Sequence, residues 1–292
     1  MNLNVPFREP LVAEADALPP ARLARRAVDR FTDPGVGELA PLFEARTGVI
    51  VAGAGIDEPD AVVGLAVATG WVVVADPRSG CRGLPGVVTA GDALLRVSQV
   101  SACRPDVVVH LGEPPASKVL GQWAAQLDGA QVRVTATDTV IDPSHTTTHR
   151  VVAPVGAWCR AAAQAARPCA ADWATRWAQW SQHADAVLGE ALDGADTLSE
   201  PVVARVLTRQ HGHLVVASSM PVRDVEWFGA PDQAATVWSN RGANGIDGTV
   251  ATAIGVAAAT GGPVTVLLGD VALLHDATSL TALVRRPVDV RI

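Results

Sequence analysis

The sequence has 292 residues, a formal net charge of −7, 49% hydrophobic residues and 18% charged residues. A globular chain of this length can bury a large core and hold two domains. The acidic balance argues against the basic face that nucleic-acid binding requires. Charged residues and glycines interrupt each apolar run before it reaches membrane-spanning length, so no membrane-spanning segment is expected.

The cysteines, Cys81, Cys103, Cys159 and Cys169, show neither CxxC spacing nor a metal-like pairing. In a chain of this size that usage favours reduced, structural thiols. The first residues lack the basic-then-apolar pattern of a secretory signal. We therefore expect a soluble protein of the cytoplasm.

Residues 1–45 are rich in proline and lack a long periodic pattern. They predict a connecting arm with a short helix at 21–31. The first few residues are typical of the end of an upstream domain rather than the start of a new one.

Residues 46–194 predict a middle α/β domain with a helical connector. Buried-type strands are expected at 49–52, 71–75, 106–111 and 131–135, and helices at 59–69, 94–102 and 117–127. This alternation favours a mostly parallel sheet. Residues 156–193 predict an alanine-rich helical stretch, in which Trp173, Trp177 and Trp180 recur at the spacing of a packing face.

One turn in the middle domain imitates a dinucleotide site. Gly53 and Gly55 follow a strand, and Asp76 ends the next strand. Glu58 takes the third glycine position, where a carboxylate would repel a pyrophosphate. A structural turn is therefore the preferred interpretation over NAD binding.

One histidine pair, His145 and His149, has the spacing of zinc ligands on a helix. The three threonines between them favour extended chain instead, in which the two rings would not converge. A solvated loop is the preferred interpretation.

Residues 195–292 predict a second α/β domain. Strands are expected at 213–217, 236–238, 264–268 and from 288, with helices at 201–209, 250–259 and 272–285. Polar residues follow the first three strands at one sheet edge, where ligands bind in open α/β sheets. The predicted fold class is therefore α/β, with two parallel-sheet domains.

A glycine-rich segment stands at this edge. Gly242, Gly245 and Gly248 follow a strand and precede an apolar helix. Glycines let a backbone approach a ligand closely, and the N–H groups of a helix start favour an anion. Because Asp270 ends the next strand, the pattern indicates a phosphate held through a divalent cation.

Three motifs in this domain resemble one family. They are Ser-Asn-Arg-Gly-Ala-Asn-Gly-Ile-Asp-Gly at 239–248, Pro-Val-Arg-Asp at 221–224 and Gly-Asp-x-x-x-x-His-Asp at 269–276. They resemble the MenD family of thiamine-diphosphate-dependent 2-succinyl-5-enolpyruvyl-6-hydroxy-3-cyclohexene-1-carboxylate synthases of menaquinone biosynthesis. Residues 3–11 resemble the end of that family's first domain, and the resemblance is diffuse in between.

The resemblance implies a transferase that decarboxylates 2-oxoglutarate on thiamine diphosphate and adds the resulting unit to isochorismate. It implies a homodimer or homotetramer with active sites between chains. Implied cofactor contacts are Gly245, Ile246, Gly269 and Asp270, with Mg²⁺ or Mn²⁺ held by Asp270. Implied substrate contacts are Ser219, Arg223 and Arg241, since guanidinium groups bind carboxylates bidentately.

The sequence departs from the family pattern at several points. The family's activating glutamate is expected in a domain before Met1, and the asparagine that completes the metal shell is expected past Ile292. Val271 replaces the third glycine of the broader Gly-Asp-Gly motif. The alternatives are a fragment of the synthase, an inactive truncated remnant or partner-dependent binding subunit, and, less favoured, an NAD-binding oxidoreductase.

Overall fold

The computed structural model describes residues 35–139, 141–168, 172–242 and 245–292. The predicted arm helix at 21–31 and Cys169 lie outside these residues. Within the compact unit Asp33–Ile292, the described strands build two sheets. Every strand pair in them is parallel, which confirms the predicted α/β class. The domain boundaries at 45 and 194 stay predictions.

The first sheet has the strand order β3-β2-β1-β4-β5-β6. Its strands are β1 Gly48–Ala52, β2 Val72–Ala75, β3 Val87–Val88, β4 Val107–Leu111, β5 Ala130–Thr135 and β6 His149–Val152. Every residue of β1, β2 and β4 is buried. Such continuous valine-rich strands are typical of a parallel sheet covered by helices on both faces.

The α-helices described beside this sheet are α1 Pro59–Thr69, α2 Gly91–Leu95, α3 Ser98–Ser101, α4 Lys118–Ala125, α5 Val155–Ala165 and α6 Asp172–Leu192. On one face, α1 packs against α5. On the other, Trp173 and Trp177 of α6 are buried beside Trp123 of α4, and Trp180 packs against Trp177. The predicted packing face of α6 is therefore confirmed.

The second sheet has the order β10-β9-β7-β8, with β7 Gly212–Val216, β8 Ala235–Trp238, β9 Val264–Leu267 and β10 Val290–Arg291. Its helices are α7 Glu200–Arg209, α8 Met220–Phe228, α9 Thr249–Thr260 and α10 Asp270–His275. Because the strands are parallel, the carboxyl ends of β7, β8 and β9 lie at one edge. The predicted site residues follow these strand ends.

Two predicted helices in the first part of the chain are interrupted. The helix predicted at 94–102 is the pair α2 and α3, separated at Val97, whose backbone is extended. The helix predicted at 156–193 is the pair α5 and α6. Ala166 is extended after α5, and Pro168 follows two residues later, where it cannot continue a helix.

The helix predicted at 272–285 is also wrong in extent. The α-helix α10 ends at His275, and a 3₁₀-helix, Ala277–Val284, follows it. The residue between them, Asp276, uses its side chain to bind the start of α9. The short strands β3 and β6 and the helix α8 were not predicted.

No helix in the described ranges combines the length and the apolar character needed to cross a bilayer.

Candidate functional site

A cleft of about 360 Å³ lies at the carboxyl ends of β7 and β9. We call it the strand-end cleft. Its lining residues are Ala217, Ser218, Ser219, Gly245, Ile246, Gly269, Asp270, Val271 and Ala272. The fold thus brings together five of the predicted site residues from three separate stretches of the chain.

Asp270 and Ile246 give this cleft its chemical character. Asp270 is the first residue of α10 and is exposed, and its Oδ1 accepts a hydrogen bond from the N–H of Val271 at 2.8 Å. Ile246 keeps 44% of its surface exposed, which is unusual for a large apolar side chain. The cleft therefore combines one accessible carboxylate with one accessible apolar surface.

The start of α9 differs from the prediction. Asp276 Oδ2 accepts hydrogen bonds from the N–H groups of Val250 at 2.5 Å and Ala251 at 3.2 Å. Burial alone would raise the pKa of Asp276, but the hydrogen bonds from Ser279 and from these N–H groups outweigh it and lower the pKa. The helix start that was predicted to favour a bound anion thus holds a carboxylate of the chain itself.

Polar contacts tie the ends of β7 and β8 together. The Ser218 hydroxyl donates to the carbonyl of Asn240, and Arg241 Nη1 donates to the carbonyl of Ser218 at 3.1 Å. The side chain of Asn240 pairs with Thr252 Oγ1 of α9 at 2.9 Å. These bonds fix where Arg241 leaves the sheet.

The two predicted substrate arginines line a second cleft, of about 770 Å³, between the two sheets. We call it the intersheet cleft. Arg223 and Arg241 reach it from the second sheet, and Arg96 and Lys118 reach it from the first. Burial, followed by the nearby charge of Arg78, lowers the pKa of Arg241. Four cationic side chains therefore surround this cleft.

Lys118 and Arg96 are site candidates that the sequence analysis missed. Lys118 is the only lysine in the chain and begins α4, directly after the loop that follows β4. Applying the strand-end rule to the first sheet as well as the second could have identified it.

Asp92 binds Arg96 and the residue before Lys118 through its two carboxylate oxygens. Its Oδ1 accepts from Arg96 Nε at 2.8 Å, and its Oδ2 accepts from the hydroxyl of Ser117 at 2.6 Å. Ser117 in turn caps α4 by accepting from the N–H of Leu120 at 3.0 Å. One buried carboxylate thus orients Arg96 and binds the N-cap of the helix that Lys118 begins.

A family model described as "Middle domain of thiamine pyrophosphate" matches residues 37–215. The chain belongs to this thiamine pyrophosphate enzyme family. Within the family, the 2-succinyl-5-enolpyruvyl-6-hydroxy-3-cyclohexene-1-carboxylate synthase of Rubrobacter xylanophilus is 40% identical over 97% of this chain and 53% of the relative. Synthases of the same name from Salinibacter ruber and Natronomonas pharaonis are 38% and 36% identical, over 99% and 100% of this chain.

These relatives confirm the resemblance to the synthase family that the three motifs indicated. The matches cover 54% of the Salinibacter protein and 55% of the Natronomonas protein. The chain therefore spans about half the length of the curated relatives it matches.

The residues of the strand-end cleft fit the cofactor of the thiamine pyrophosphate enzymes. Its volume is in the range of small-molecule sites, and an exposed carboxylate oxygen is the ligand type that Mg²⁺ prefers. A Cβ built on Gly269 meets nothing within 4 Å, so the backbone there is open to a ligand. The described residues contain no group of three or more His, Cys, Asp or Glu ligands, so Asp270 would be a single carboxylate in a mixed oxygen shell.

In the middle domain, chain packing explains the glycine that imitated a dinucleotide site. A Cβ at Gly53 would stand 1.6 Å from the carbonyl oxygen of Glu113, whose N–H bonds the carbonyl of Ala54 at 2.9 Å. Glu58 pairs with Arg160 on α5. These contacts support the structural interpretation of the turn.

The histidine pair is separated by a turn and a strand start. His145 lies in a turn with φ 53°, and His149 begins β6. Both side chains are exposed.

Proposed function

We propose that this chain supplies the middle domain and part of the diphosphate-binding domain of a synthase that uses thiamine diphosphate. The synthase would decarboxylate 2-oxoglutarate and transfer the remaining four-carbon unit to isochorismate. One observation carries the proposal: a cleft with a single carboxylate lies beside a cleft with four cationic side chains, and α8 joins them. Ser219, at the start of α8, lines the first cleft, and Arg223 lines the second.

In this proposal the strand-end cleft holds the cofactor. Asp270 would hold Mg²⁺ or Mn²⁺, whose charge would neutralise the diphosphate, and Gly269 and Gly245 would allow the diphosphate to approach the backbone closely. Ile246 offers the apolar surface against which the reactive ring is held. When bound, thiamine diphosphate supplies the electron sink for decarboxylation, and the protein binds and orients it.

The intersheet cleft binds the substrates. Both 2-oxoglutarate and isochorismate carry two carboxylates, and a guanidinium group can bind a carboxylate through two parallel hydrogen bonds. Arg223 and Arg241 bind these groups from the second sheet, and Lys118 and Arg96 add positive charge from the first. Ser219, near the boundary between the clefts, donates a hydrogen bond to the substrate.

The proposal includes the assembly and setting that the family implies. These are a homodimer or homotetramer and a location in the cytoplasm. Other oxygen ligands for the metal and the glutamate that activates the cofactor are contributed by parts of the enzyme other than the residues described above.

A crossed mutation experiment in a full-length protein that carries this chain tests the proposal. Asp270→Ala should abolish metal-dependent binding of thiamine diphosphate, because it removes the carboxylate ligand. Arg241→Ala should raise the KM for an anionic substrate at least tenfold with the cofactor Kd unchanged, since Arg241 lines the other cleft. Titration calorimetry and initial rates measure the two effects.

Asp289→Ala is the matched control, because Asp289 is an exposed aspartate of the same domain that pairs with Arg291. It should leave both quantities unchanged. Unaltered thiamine diphosphate affinity in Asp270→Ala, or an Arg241→Ala effect on cofactor Kd alone, would contradict the assignment of the two clefts.

A further inference from the structure

Arg82 is a fully buried arginine that reaches from the first sheet to the second. It follows β2, and its Nε donates to the carbonyl of Ala75 at the end of that strand, at 2.8 Å. Its Nη1 donates to the carbonyl of Val225 at 3.1 Å. Its Nη2 donates to the carbonyl of Glu226 at 3.1 Å and to the Glu226 carboxylate at 2.7 Å. One side chain thus connects the end of β2 with α8.

These bonds cap the carboxyl end of α8. The last carbonyls of a helix lack full pairing within the helix, and a cation placed there is favourable. The Val225 carbonyl also accepts from the N–H of Gly229, the residue after α8, at 3.1 Å. The planar guanidinium offers its donors in a fixed geometry, so it sets the position of the helix and not only its charge balance. The side chain of Arg82 has 0% exposure and that of Glu226 has 3%, so water does not compete for these bonds.

The capped carbonyls lie close to a proposed substrate residue. Arg223 precedes Val225 by two residues and Glu226 by three, which is less than one helical turn. Moving the end of α8 therefore moves Arg223 and, at the start of the same helix, Ser219.

A second contact from the first sheet acts on the same end of α8. The guanidinium of Arg96 lies 5.8 Å from the ring centroid of Trp227, within the range of a cation–π interaction. Asp92 orients Arg96 and also binds Ser117, the residue before Lys118. Residues that follow strands of the first sheet thus contact the end of α8 at two points, through Arg82 and through Arg96.

We propose that Arg82 is a positioning residue for the substrate site: it caps α8 from the middle domain and so fixes the location of Ser219 and Arg223 across the intersheet cleft. This inference rests on the proposed function. The middle domain thus contributes to substrate binding through Arg82, although Arg82 lines neither the strand-end cleft nor the intersheet cleft. Misplacing an orienting group by about 1 Å can cost a factor of about 100 in rate.

The test is Arg82→Lys in a full-length protein that carries this chain. Lysine keeps the charge but cannot reproduce the planar set of N–H donors of the guanidinium group, so α8 should shift while the fold is retained. We expect the KM for 2-oxoglutarate or isochorismate to rise at least tenfold, with the thiamine diphosphate Kd unchanged within twofold. Glu226→Gln keeps an acceptor for Arg82 and all the carbonyl bonds, so its KM should stay within threefold of the wild type.

Arg205→Lys is the matched control. Arg205 is also buried and forms an ion pair with Asp193 at 2.6 Å, but within the described residues its guanidinium donates to Asp193 and not to α8. It should lower the melting temperature with an unchanged KM. If Arg82→Lys lowers the melting temperature as Arg205→Lys does and leaves KM unchanged, Arg82 is merely structural and the inference fails.

Hydrogen exchange separates this inference from the proposed function. If the wild-type protein lacks synthase activity, the proposed function fails, and exchange of the amides at 226–229, at the capped end of α8, still tests the role of Arg82 in the 292-residue chain. Faster exchange there in Arg82→Lys than in Arg205→Lys supports the cap. Equal exchange in the two variants overturns it.

Discussion

At the scale of single residues, His110 shows how burial sets a protonation state. His110 lies on β4, and its Nε2 is 2.9 Å from Oε1 of Gln131. Gln131 Nε2 donates to the carbonyl of Ala124 at 2.8 Å, so its Oε1 is the acceptor and His110 carries its proton on Nε2. Burial and then the charge of Arg133 lower the pKa of His110 to about 4. The imidazole is therefore neutral in the folded protein at neutral pH.

This state predicts a loss of stability in acid. The unfolded chain binds a proton at His110 below pH 6.5, whereas the folded chain does not until about pH 4, so the free energy of unfolding falls across that window as pH decreases. The difference is on the order of 3 kcal/mol. Urea unfolding at pH 7, 5.5 and 4.5 measures it, and His110→Asn should flatten the slope.

The exposed His183 provides the control, since His183→Asn should retain the full slope. Identical slopes in the wild type and His110→Asn would show that other groups cause the acid sensitivity.

At the scale of elements, α9 depends on a carboxylate that is distant in sequence. Gly248, with φ 82°, directs the chain into the helix, and Asp276 binds the first N–H groups while Ser279 donates to its other oxygen at 2.5 Å. A helix start without a side-chain acceptor leaves several N–H groups unpaired. Asp276 therefore joins the glycine-rich segment to the loop after α10.

Asp276→Ala should lower the free energy of unfolding by about 1–2 kcal/mol at pH 7, because it removes this cap. Asp276→Asn keeps an oxygen acceptor but loses the charge, so a smaller loss is expected. Chemical denaturation measures both. A loss in Asp276→Ala no larger than that of Asp289→Ala, an aspartate remote from the start of α9, would show that the cap does not stabilise the helix.

The elements that the sequence predicted well are those with strong local patterns. The valine runs of β1 and β4 and the tryptophan spacing of α6 depend on neighbours in sequence, and the structure confirms them. The helix predicted at 272–285 failed because Asp276 is used for a tertiary bond that no local pattern reveals. The two-residue β3 is too short for a period to appear.

The difference between local patterns and tertiary contacts also decides which site residues could be predicted. The strand-end rule and the family motifs placed Ser219, Ile246 and Asp270 together, because parallel strands bring their carboxyl ends to one edge. Lys118 could have been found by applying the same rule to the first sheet, but the meeting of Arg96 and Lys118 with Arg223 depends on how the two sheets pack against each other. That relation is a property of the three-dimensional structure and not of a motif.

At the scale of the whole molecule, buried polar contacts join the two sheets. Gln233 Nε2 donates to the carbonyl of Pro77 at 2.9 Å, and Arg82 binds α8 as described above. A Cβ at Gly83, where φ is 87°, would stand 2.5 Å from the carbonyl oxygen of Gln233. Only glycine allows this approach without a shift, so the sequence itself favours close contact between the sheets.

These contacts predict that the two sheets unfold together. Separating them would break the buried hydrogen bonds from Arg82 to α8 and from Gln233 to Pro77, each of which contributes about 1 kcal/mol. Equilibrium urea unfolding of the 292-residue chain should therefore give one transition, with the same midpoint by tryptophan fluorescence and by far-ultraviolet circular dichroism. Tryptophan fluorescence mainly reports on the cluster of Trp173 and Trp177 beside the first sheet, whereas circular dichroism reports on the helices beside both sheets. Two separated midpoints would mean that the sheets are independent, and Arg82→Gln should produce that separation because it removes the guanidinium bonds to α8.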